Sequence, residues 1–283
     1  MGRLRRIDAE LVRRKLAGSR EEAKSLIESG RVRLDGTAVT KPARQIDPAQ
    51  AIVVDDEGLD NYASRGAYKL AGVLDLLGAR APSIEGRRII DAGASTGGFT
   101  DVLLRRGAAE VLAIDVGYGL LAWRLREDPR VTVMERMNVR ALMPEDVAPA
   151  PEMAVGDLSF ISLTLILPAL VRSCRADADF LLMVKPQFEI GRERLGHGGV
   201  VRNLEHHEET IMTVARCAID LGLDIADVAA SPLPGPAGNV EYFLSMRRDH
   251  PDPVNDLADA VHSAVLNGPG PGLFGKVTGQ EAK

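Results

Sequence analysis

The feature that most constrains the fold of this chain is a glycine loop between an apolar strand and a helix. Arg87-Arg-Ile-Ile90 predicts a short strand, which runs into Asp91-Ala-Gly-Ala-Ser-Thr-Gly-Gly-Phe-Thr-Asp101 and then into a helix that begins with Val102-Leu-Leu104. Glycines at such a turn lack the Cβ atoms that would keep a ligand away from the backbone at the amino end of the helix. Strand, loop and helix therefore predict a nucleotide-type cofactor site in an α/β domain.

The spacing of the glycines indicates which cofactor the loop binds. A dinucleotide site requires Gly-x-Gly-x-x-Gly, but Ser95 stands two residues after Gly93, and glycine returns only at positions 97 and 98. This wider loop argues against a dehydrogenase and favours S-adenosylmethionine. Asp115 ends the next apolar run, where its carboxylate can accept hydrogen bonds from both ribose hydroxyls of an adenosine.

The predicted cofactor site combines the loop with the ends of three later strands. Asn138 can meet the adenine edge through its amide or can simply form a turn, and Phe99 can pack on the cofactor or fill the core. The complete set is Asp91, Gly93, Ala94, Ser95, Thr96, Gly97, Gly98, Phe99, Asp115, Asn138 and Asp157.

Apolar strands alternate with helices through the rest of this region. Further strands are predicted at residues 131–134, 153–155, 180–184, 225–229 and 242–246, and a helix with apolar residues at helical spacing begins near Ser64. The pattern predicts a doubly wound α/β domain with a Rossmann-like sheet. Ligands in such sheets lie at the carboxyl ends of the strands, so the polar residues that follow each strand are candidates for function.

The amino-terminal segment is basic, whereas the rest of the chain is acidic. Residues 1–50 contain 12 Lys and Arg against 7 Asp and Glu, a net charge of +5, although the whole chain carries −5. Caps at Asp8 and Ser19 predict two helices, and the alternation from Arg31 to the Asp-Gly turn at residues 35–36 predicts a hairpin. Such concentrated positive charge in a small α+β unit is typical of a protein that binds a polyanion.

This segment resembles the alpha-L RNA-binding domain of a small-subunit ribosomal protein and of many pseudouridine synthases. The resemblance rests on Arg3-Leu-Arg-Arg-Ile-Asp-Ala-Glu-Leu-Val-Arg-Arg14, Ser19-Arg-Glu-Glu-Ala23 and Gly30-Arg-Val-Arg-Leu-Asp-Gly36. It implies that the helix pair and the hairpin hold folded RNA by its backbone, and the alternative is that the charges form only a solvated helix face. The candidate RNA-binding residues are Arg3, Arg5, Arg6, Arg13, Arg14, Arg20, Lys24, Arg31, Arg33 and Arg65.

Two lysines and two carboxylates stand where a doubly wound sheet places functional groups. Asp157 and Lys185 each end a predicted strand, and Glu241 begins the last strand. Lys69 lies beside the apolar stripe of the helix that begins near Ser64. Any one of these residues can be an ordinary surface charge, but their joint placement indicates a catalytic site.

The motifs together closely resemble the TlyA or hemolysin A family, methyltransferases that join an alpha-L domain to an FtsJ-like catalytic domain. They are Ser64-Arg-Gly66, the loop from Asp91 to Asp101, Asp157-Leu-Ser-Phe-Ile-Ser162, Val184-Lys-Pro-Gln-Phe-Glu189, Gly198-Gly-Val-Val-Arg202 and Gly238-Asn-Val-Glu-Tyr242. The resemblance implies methyl transfer from S-adenosylmethionine to a ribose 2′-hydroxyl of ribosomal RNA, with cytidine as the nucleoside. It also implies that ribosomal RNA or ribosomal subunits are the partners. The catalytic residues that it implies are Lys69, Asp157, Lys185 and Glu241.

The implied chemistry requires a base. A ribose hydroxyl is a poor nucleophile, so its proton must be removed as the oxygen attacks the methyl group. We assign this role to Lys185, with Lys69 as the alternative; a lysine, whose ordinary pKa is ~10.4, must be desolvated or lie near another cation to be neutral at working pH. We expect Asp157 to orient Lys185 near the methionine end of the cofactor, and Glu241 to position Lys69 and the target ribose.

The composition excludes several other classes of protein. The two cysteines are far apart, no apolar run follows the basic amino terminus, and the longest uncharged run, residues 158–171, is too short to span a bilayer. We therefore expect a cytoplasmic protein with no stable membrane association. His197, His206 and His207 have no accompanying cysteine or carboxylate pattern, so we predict solvated histidines and no metal site.

The predicted domains are the alpha-L domain at residues 1–54, a linker at 55–63, the methyltransferase domain at 64–249 and a mobile tail, rich in Gly and Pro, at 250–283.

Two rival functions remain. A membrane-lysing protein is suggested by the family's other name, but the chain offers no spanning segment and no lone amphipathic basic helix. An RNA-binding assembly factor without catalysis is the second rival, and the intact glycine loop and Asp115 argue against it.

Overall fold

The chain folds into two compact units, Met1–Asn61 and Tyr62–Lys283, each with its own hydrophobic core. The computed structural model describes residues 4–14, 16–17, 20–28, 30–48, 50–54 and 62–268. Arg3 and residues 55–61 of the predicted linker lie outside the described residues.

Within its described residues, the amino-terminal unit contains two helices and two short antiparallel sheets. Its elements are β1 (Arg5–Arg6), α1 (Ile7–Arg13), α2 (Arg20–Glu28), β2 (Val32–Leu34), β3 (Thr37–Ala38), β4 (Gln45–Ile46) and β5 (Ile52–Val54). Strand β2 pairs with β3 and β5, and β1 pairs with β4. Asp35 and Gly36 join β2 to β3 with φ of +49° and +81°, which is the geometry that the predicted hairpin turn requires.

The larger unit is built on a seven-stranded sheet. Its strands are β6 (Arg88–Ala92), β7 (Glu110–Asp115), β8 (Val131–Glu135), β9 (Met153–Gly156), β10 (Asp179–Val184), β11 (Asp224–Ala230) and β12 (Tyr242–Arg247). They lie in the order β11-β12-β10-β9-β6-β7-β8. Strand β12 is antiparallel to both of its neighbours, and every other pairing is parallel.

Helices cover both faces of this sheet, which confirms the predicted doubly wound α/β fold. They are α3 (Gly66–Leu77), α4 (Gly98–Arg105), α5 (Trp123–Arg126), α6 (Leu167–Ser173), α7 (Pro186–Glu189), α8 (Leu204–Asp220) and α9 (Leu257–Leu266). Successive residues of β6 point to opposite faces, so Ile89 joins one core with α3 and α4, whereas Ile90 joins a second core with α6 and α8.

The sheet topology places the predicted functional residues at one edge. Strands β7 and β8 extend the sheet on one side of β6, and the chain then returns to place β9 on the other side of β6. The direction of sheet growth therefore switches at the neighbouring strands β6 and β9. A crevice forms at such a switch point, at the carboxyl ends of the strands. Because β12 is antiparallel, its first residues lie at this same edge, and Glu241 therefore joins Asp157 and Lys185 there.

The prediction of a mobile tail from residue 250 is wrong for residues 257–266, which form α9. Val261, Ala264 and Val265 of this helix are buried in the core beside α8 and β11. The tail prediction for residues 269–283 lies outside the described residues. Among the described helices, none combines the length and the apolar character that a membrane crossing requires.

Candidate active site

The glycine loop connects β6 to α4 and has the backbone geometry of a tight turn. Gly93 and Gly97 have φ of +84° and +97°, values that are unfavourable for residues with a Cβ atom. A Cβ at Gly93 would lie 3.1 Å from the Asp157 carbonyl oxygen, and one at Gly98 would lie 2.8 Å from the Ala67 amide nitrogen. The glycines are therefore needed for close packing against neighbouring backbone, in addition to the ligand approach predicted from the sequence.

Asp115 connects the glycine loop to the segment that follows β7. Its Oδ2 accepts a hydrogen bond from the Ser95 amide at 2.8 Å, and its Oδ1 accepts one from the Gly117 amide at 2.7 Å. Each carboxylate oxygen can accept a second hydrogen bond. Asp115 lines a cavity of about 340 Å³ together with Met137, Asn138 and other residues. Both carboxylate oxygens therefore retain hydrogen-bonding capacity toward this cavity.

Asn138 and Phe99 each combine the two alternatives raised for them. Asn138 lines the Asp115 cavity, and its Oδ1 also accepts a hydrogen bond from the Arg140 amide at 3.0 Å, so it is both a cavity residue and a cap. Phe99 is 3% exposed and stacks on Phe243 with ring centroids 6.1 Å apart, and it also lines a second cavity beside the glycine loop.

Asp91 is a fully buried carboxyl group in β6. Thr100 Oγ1 donates a hydrogen bond to its Oδ2 at 2.6 Å, and its Oδ1 has no hydrogen-bond partner among the described residues. Burial raises the pKa of Asp91 to about 7, because the ionised form loses its hydration.

We expect Asp91→Asn to stabilise the protein more at pH 8 than at pH 5. The pKa of this carboxyl rises from 3.8 to about 7 on folding. Its contribution to the free energy of unfolding is therefore complete below about pH 4 and is lost as the pH rises to 7. At ~1.4 kcal/mol per pKa unit, Asp91→Asn should raise the free energy of unfolding by about 3 kcal/mol more at pH 8 than at pH 5. Urea unfolding at both pH values measures it, and equal gains would mean that Asp91 ionises normally.

A second cavity, of about 260 Å³, contains three of the four predicted catalytic residues, Lys69, Asp157 and Lys185. It shares Gly93, Ser95, Asp157 and Ser159 with the Asp115 cavity, so the two cavities adjoin along the glycine loop. Arg65, predicted to bind RNA, also lines this second cavity, which we call the catalytic cavity.

The four residues form two ion pairs: the Lys69–Glu241 pair is buried, whereas the Lys185–Asp157 pair is partly buried, because the Asp157 side chain is 21% exposed. Lys69 Nζ lies 2.6 Å from Glu241 Oε2, and the two residues are 8% and 1% exposed. Lys185 Nζ lies 2.6 Å from Asp157 Oδ1, and Lys185 is 7% exposed. Each lysine is therefore held in a fixed position by its own carboxylate.

Two residues without a predicted role contact these pairs. Lys185 Nζ donates a hydrogen bond to Ser159 Oγ at 2.9 Å, and Gln187 Nε2 donates one to Glu241 Oε1 at 3.3 Å. Both residues stand two positions after a strand-end residue of the site, Asp157 or Lys185, and this spacing was the available signal.

Glu189 holds the segment after Asp157 in place. Its carboxylate accepts hydrogen bonds from Ser162 Oγ at 2.5 Å and from the Leu163 amide at 2.8 Å. Burial raises the pKa of Glu189 above its ordinary value. The Asp157–Ser162 and Val184–Glu189 motifs are thereby joined beside the catalytic cavity.

The prediction that His207 is solvated is wrong. His207 is buried, with Nε2 3.0 Å from the Val201 carbonyl oxygen and Nδ1 2.9 Å from the Tyr242 hydroxyl. Burial lowers the pKa of His207, so it is a neutral structural residue near neutral pH. Among the described residues, no group of three His, Cys, Asp or Glu side chains could hold a metal ion.

The arginines of the amino-terminal unit differ in their contacts within the unit. The buried Glu10 accepts hydrogen bonds from Arg13 at 2.6 Å and from Arg14 at 2.9 Å, and these bonds, chiefly those from Arg13, lower the pKa of Glu10 to about 2. Arg14 also donates to the carbonyl oxygens of Pro48 and Gln50, so it stabilises the unit itself. The other described candidates in this unit, exposed or half-buried, are Arg5, Arg6, Arg20, Lys24, Arg31 and Arg33.

Comparisons with known proteins match both units. The FtsJ-like methyltransferase family matches residues 62–248, and the S4 domain matches residues 5–52. The chain is 52% identical over 271 residues to the 16S/23S rRNA (cytidine-2′-O)-methyltransferase TlyA of Mycobacterium tuberculosis, covering 95% of this chain and 100% of that protein.

Two further relatives carry the name hemolysin. Hemolysin A of Brachyspira hyodysenteriae is 35% identical over 226 residues, covering 80% of this chain and 92% of that protein. The solved structure of a hemolysin-type protein from Streptococcus thermophilus has 38% identity and a TM-score of 0.73, covering 93% of this chain and 94% of that chain. These matches confirm the resemblance drawn from the motifs: the chain belongs to the TlyA family of FtsJ-like methyltransferases with an amino-terminal S4 domain.

Proposed function

We propose that this enzyme methylates the ribose 2′-hydroxyl of a cytidine in ribosomal RNA, with S-adenosylmethionine as the methyl donor. One observation carries the proposal: two lysines, each paired with a carboxylate and nearly inaccessible to solvent, line a cavity that adjoins the Asp115 cavity. The identity to the M. tuberculosis enzyme, 52% over 95% of this chain, supports cytidine in ribosomal RNA as the substrate. A substrate in ribosomal subunits also assigns the enzyme to the cytoplasm.

The residues around the two cavities suit S-adenosylmethionine. Asp115 offers carboxylate oxygens to ribose hydroxyls, and the apolar side chains of Val116, Leu120 and Leu158 line the same cavity and suit a flat ring. At Gly93, where the cavities join, a Cβ would lie 3.1 Å from the Asp157 carbonyl oxygen, and Asp157 lines both cavities. When bound, S-adenosylmethionine supplies a methyl group made electrophilic by its sulfonium charge.

The enzyme's own groups move the proton of the ribose hydroxyl. In its neutral form Lys185 Nζ accepts this proton as the ribose oxygen becomes the nucleophile, and the resulting ammonium is stabilised by Asp157 at 2.6 Å. Ser159 Oγ, 2.9 Å from Nζ, orients the amine. Lys69, fixed by Glu241, donates hydrogen bonds to the oxygens of the target nucleotide.

The decisive experiment is methyl transfer to ribosomal subunits. Unmodified small and large subunits are incubated with the enzyme and S-adenosylmethionine carrying a labelled methyl group, and the product is mapped by ribose-protection sequencing. Label at a 2′-hydroxyl of a cytidine supports the proposal and names the subunit. Label on a base, or no label on either subunit while the enzyme binds both RNA and S-adenosylmethionine, overturns it, and the second result favours a noncatalytic assembly factor.

We expect Phe160→Ala to lower kcat/KM for the ribosomal substrate by about tenfold to a hundredfold. Phe160 is 90% exposed, has a φ of +64° and lies at the Asp115 cavity directly after Ser159. A strained, exposed ring at this position suits stacking on a base turned out of its helix, and such stacking contributes about 1–3 kcal/mol per base. Steady-state kinetics measure the change. Phe160→Tyr keeps the aromatic face and is the matched control; equal losses in both variants would contradict stacking.

A further inference from the structure

Exposed apolar side chains border the Asp115 cavity on the segment that joins β7 to α5. Val116, Tyr118, Leu120 and Trp123 are 68%, 69%, 47% and 69% exposed. Four large apolar side chains exposed within eight residues are unusual for a protein surface and mark an interaction site. We call this segment, residues 116–123, the rim segment.

Hydrogen bonds hold the rim segment in one conformation. The Gly119 amide donates to Glu135 Oε1 at 2.7 Å, and the Ala122 amide donates to the Thr96 carbonyl oxygen at 3.2 Å. The Arg136 amide donates to the Gly117 carbonyl oxygen at 3.0 Å. The segment is thus fastened both to the strand beside it and to the glycine loop, and it presents its exposed rings from a fixed backbone.

A positively charged side chain lies on one of these rings. The Arg136 guanidinium lies 4.4 Å from the centroid of the Tyr118 ring. Nearby, Arg124 pairs with Asp101 and Arg126 pairs with Glu135, whereas Arg136 forms no salt bridge within the described part of the chain. A guanidinium on a tyrosine ring, with an exposed tryptophan on the same segment as that tyrosine, favours RNA, whose bases stack on rings and whose phosphates attract cations.

We propose that Tyr118, Trp123 and Arg136 form a second RNA-contact surface, on which nucleotides flanking the methylated nucleotide stack. The inference rests on the proposed function and deepens it, since part of the substrate recognition then belongs to the methyltransferase unit itself. None of the three residues lines the Asp115 cavity or the catalytic cavity, so RNA contact can be tested separately from cofactor binding.

Kinetics of matched variants provide the first test. Tyr118→Ala and Trp123→Ala should each lower kcat/KM for the ribosomal subunit about tenfold, the effect of losing one stacked base, and leave the Kd for S-adenosylmethionine unchanged. Arg136→Gln should make the negative slope of log(kcat/KM) against log salt concentration less steep by about one. Leu266→Ala removes an apolar side chain of α9 that is 58% exposed and should change neither quantity. A weaker Kd for S-adenosylmethionine would identify the rim segment as a cofactor lid and overturn the proposal.

Photocrosslinking identifies the occupant directly. Tyr118→p-benzoylphenylalanine, irradiated with unmodified subunits, should crosslink to ribosomal RNA close to the methylated nucleotide. Crosslinks to a ribosomal protein or to a second copy of this chain would overturn the proposal. The two proposals can be contradicted separately. If the wild-type enzyme transfers no methyl group, the proposed function is wrong. If the wild type is active and the Tyr118 and Trp123 variants are fully active, only the proposed RNA contact at the rim segment is wrong.

Discussion

Replacing Lys185 by methionine should lower kcat for methyl transfer by about 10³-fold while the Kd for S-adenosylmethionine changes less than about threefold. General-base catalysis contributes roughly 10²–10⁴-fold, and Lys185 is the lysine whose amine contacts both Asp157 and Ser159 in the catalytic cavity. Methionine keeps the length and apolar stem of the side chain but cannot accept a proton. Single-turnover methyl transfer and calorimetric titration measure the two quantities.

Lys185→Arg is the matched control, because arginine keeps the positive charge beside Asp157 but does not give up its proton at any working pH. If Lys185 acts as the base, the arginine variant folds with a similar melting temperature to wild type and is as inactive as the methionine variant. Activity above about a tenth of wild type in the arginine variant would mean that Lys185 contributes charge alone. The base would then be Lys69.

Much of the site could be predicted because it depends on local sequence. The glycine loop, the strand-end position of Asp115 and the polar residues after β9 and β10 are all readable from short apolar runs followed by turn residues. The role of Gly98 could not be read this way. Its lack of a Cβ allows α4 to approach the Ala67 amide in α3, and that contact joins residues that are distant in the chain.

The misassigned elements depend on tertiary contacts as well. The hydrogen bonds of His207 to Val201 and Tyr242 require α8 to pack beside β12, and a single sequence does not reveal this contact. Helix α9 follows a Pro- and Asp-rich segment that predicts a loop, but its apolar face completes the core against β11. Burial against a partner element overrides local composition in both cases.

Replacing one partner of the Lys69–Glu241 pair should destabilise the protein, and replacing both should restore stability without restoring activity. The pair is nearly inaccessible to solvent, with Nζ 2.6 Å from Oε2, so Glu241→Gln leaves a buried ammonium without a counter-charge and Lys69→Met leaves a buried carboxylate. Breaking a buried ion pair costs about 3–5 kcal/mol. In the double variant both charges are gone, and urea unfolding should recover most of this loss.

The rate of methyl transfer by the double variant shows whether Lys69 only stabilises the fold or also takes part in the reaction. If Lys69 only stabilises the fold, the double variant regains methyl transfer as it regains stability. If Lys69 donates hydrogen bonds to the target nucleotide, as its place in the catalytic cavity indicates, the double variant stays at least about 10²-fold slower than wild type at a temperature where both are fully folded. Gln187 supplies the control for the surrounding packing, because Gln187→Leu removes the hydrogen bond to Glu241 Oε1 and leaves the ion pair intact. A loss in Gln187→Leu as large as that in Lys69→Met would mean that the position of the Glu241 carboxylate, rather than the lysine charge, limits the reaction.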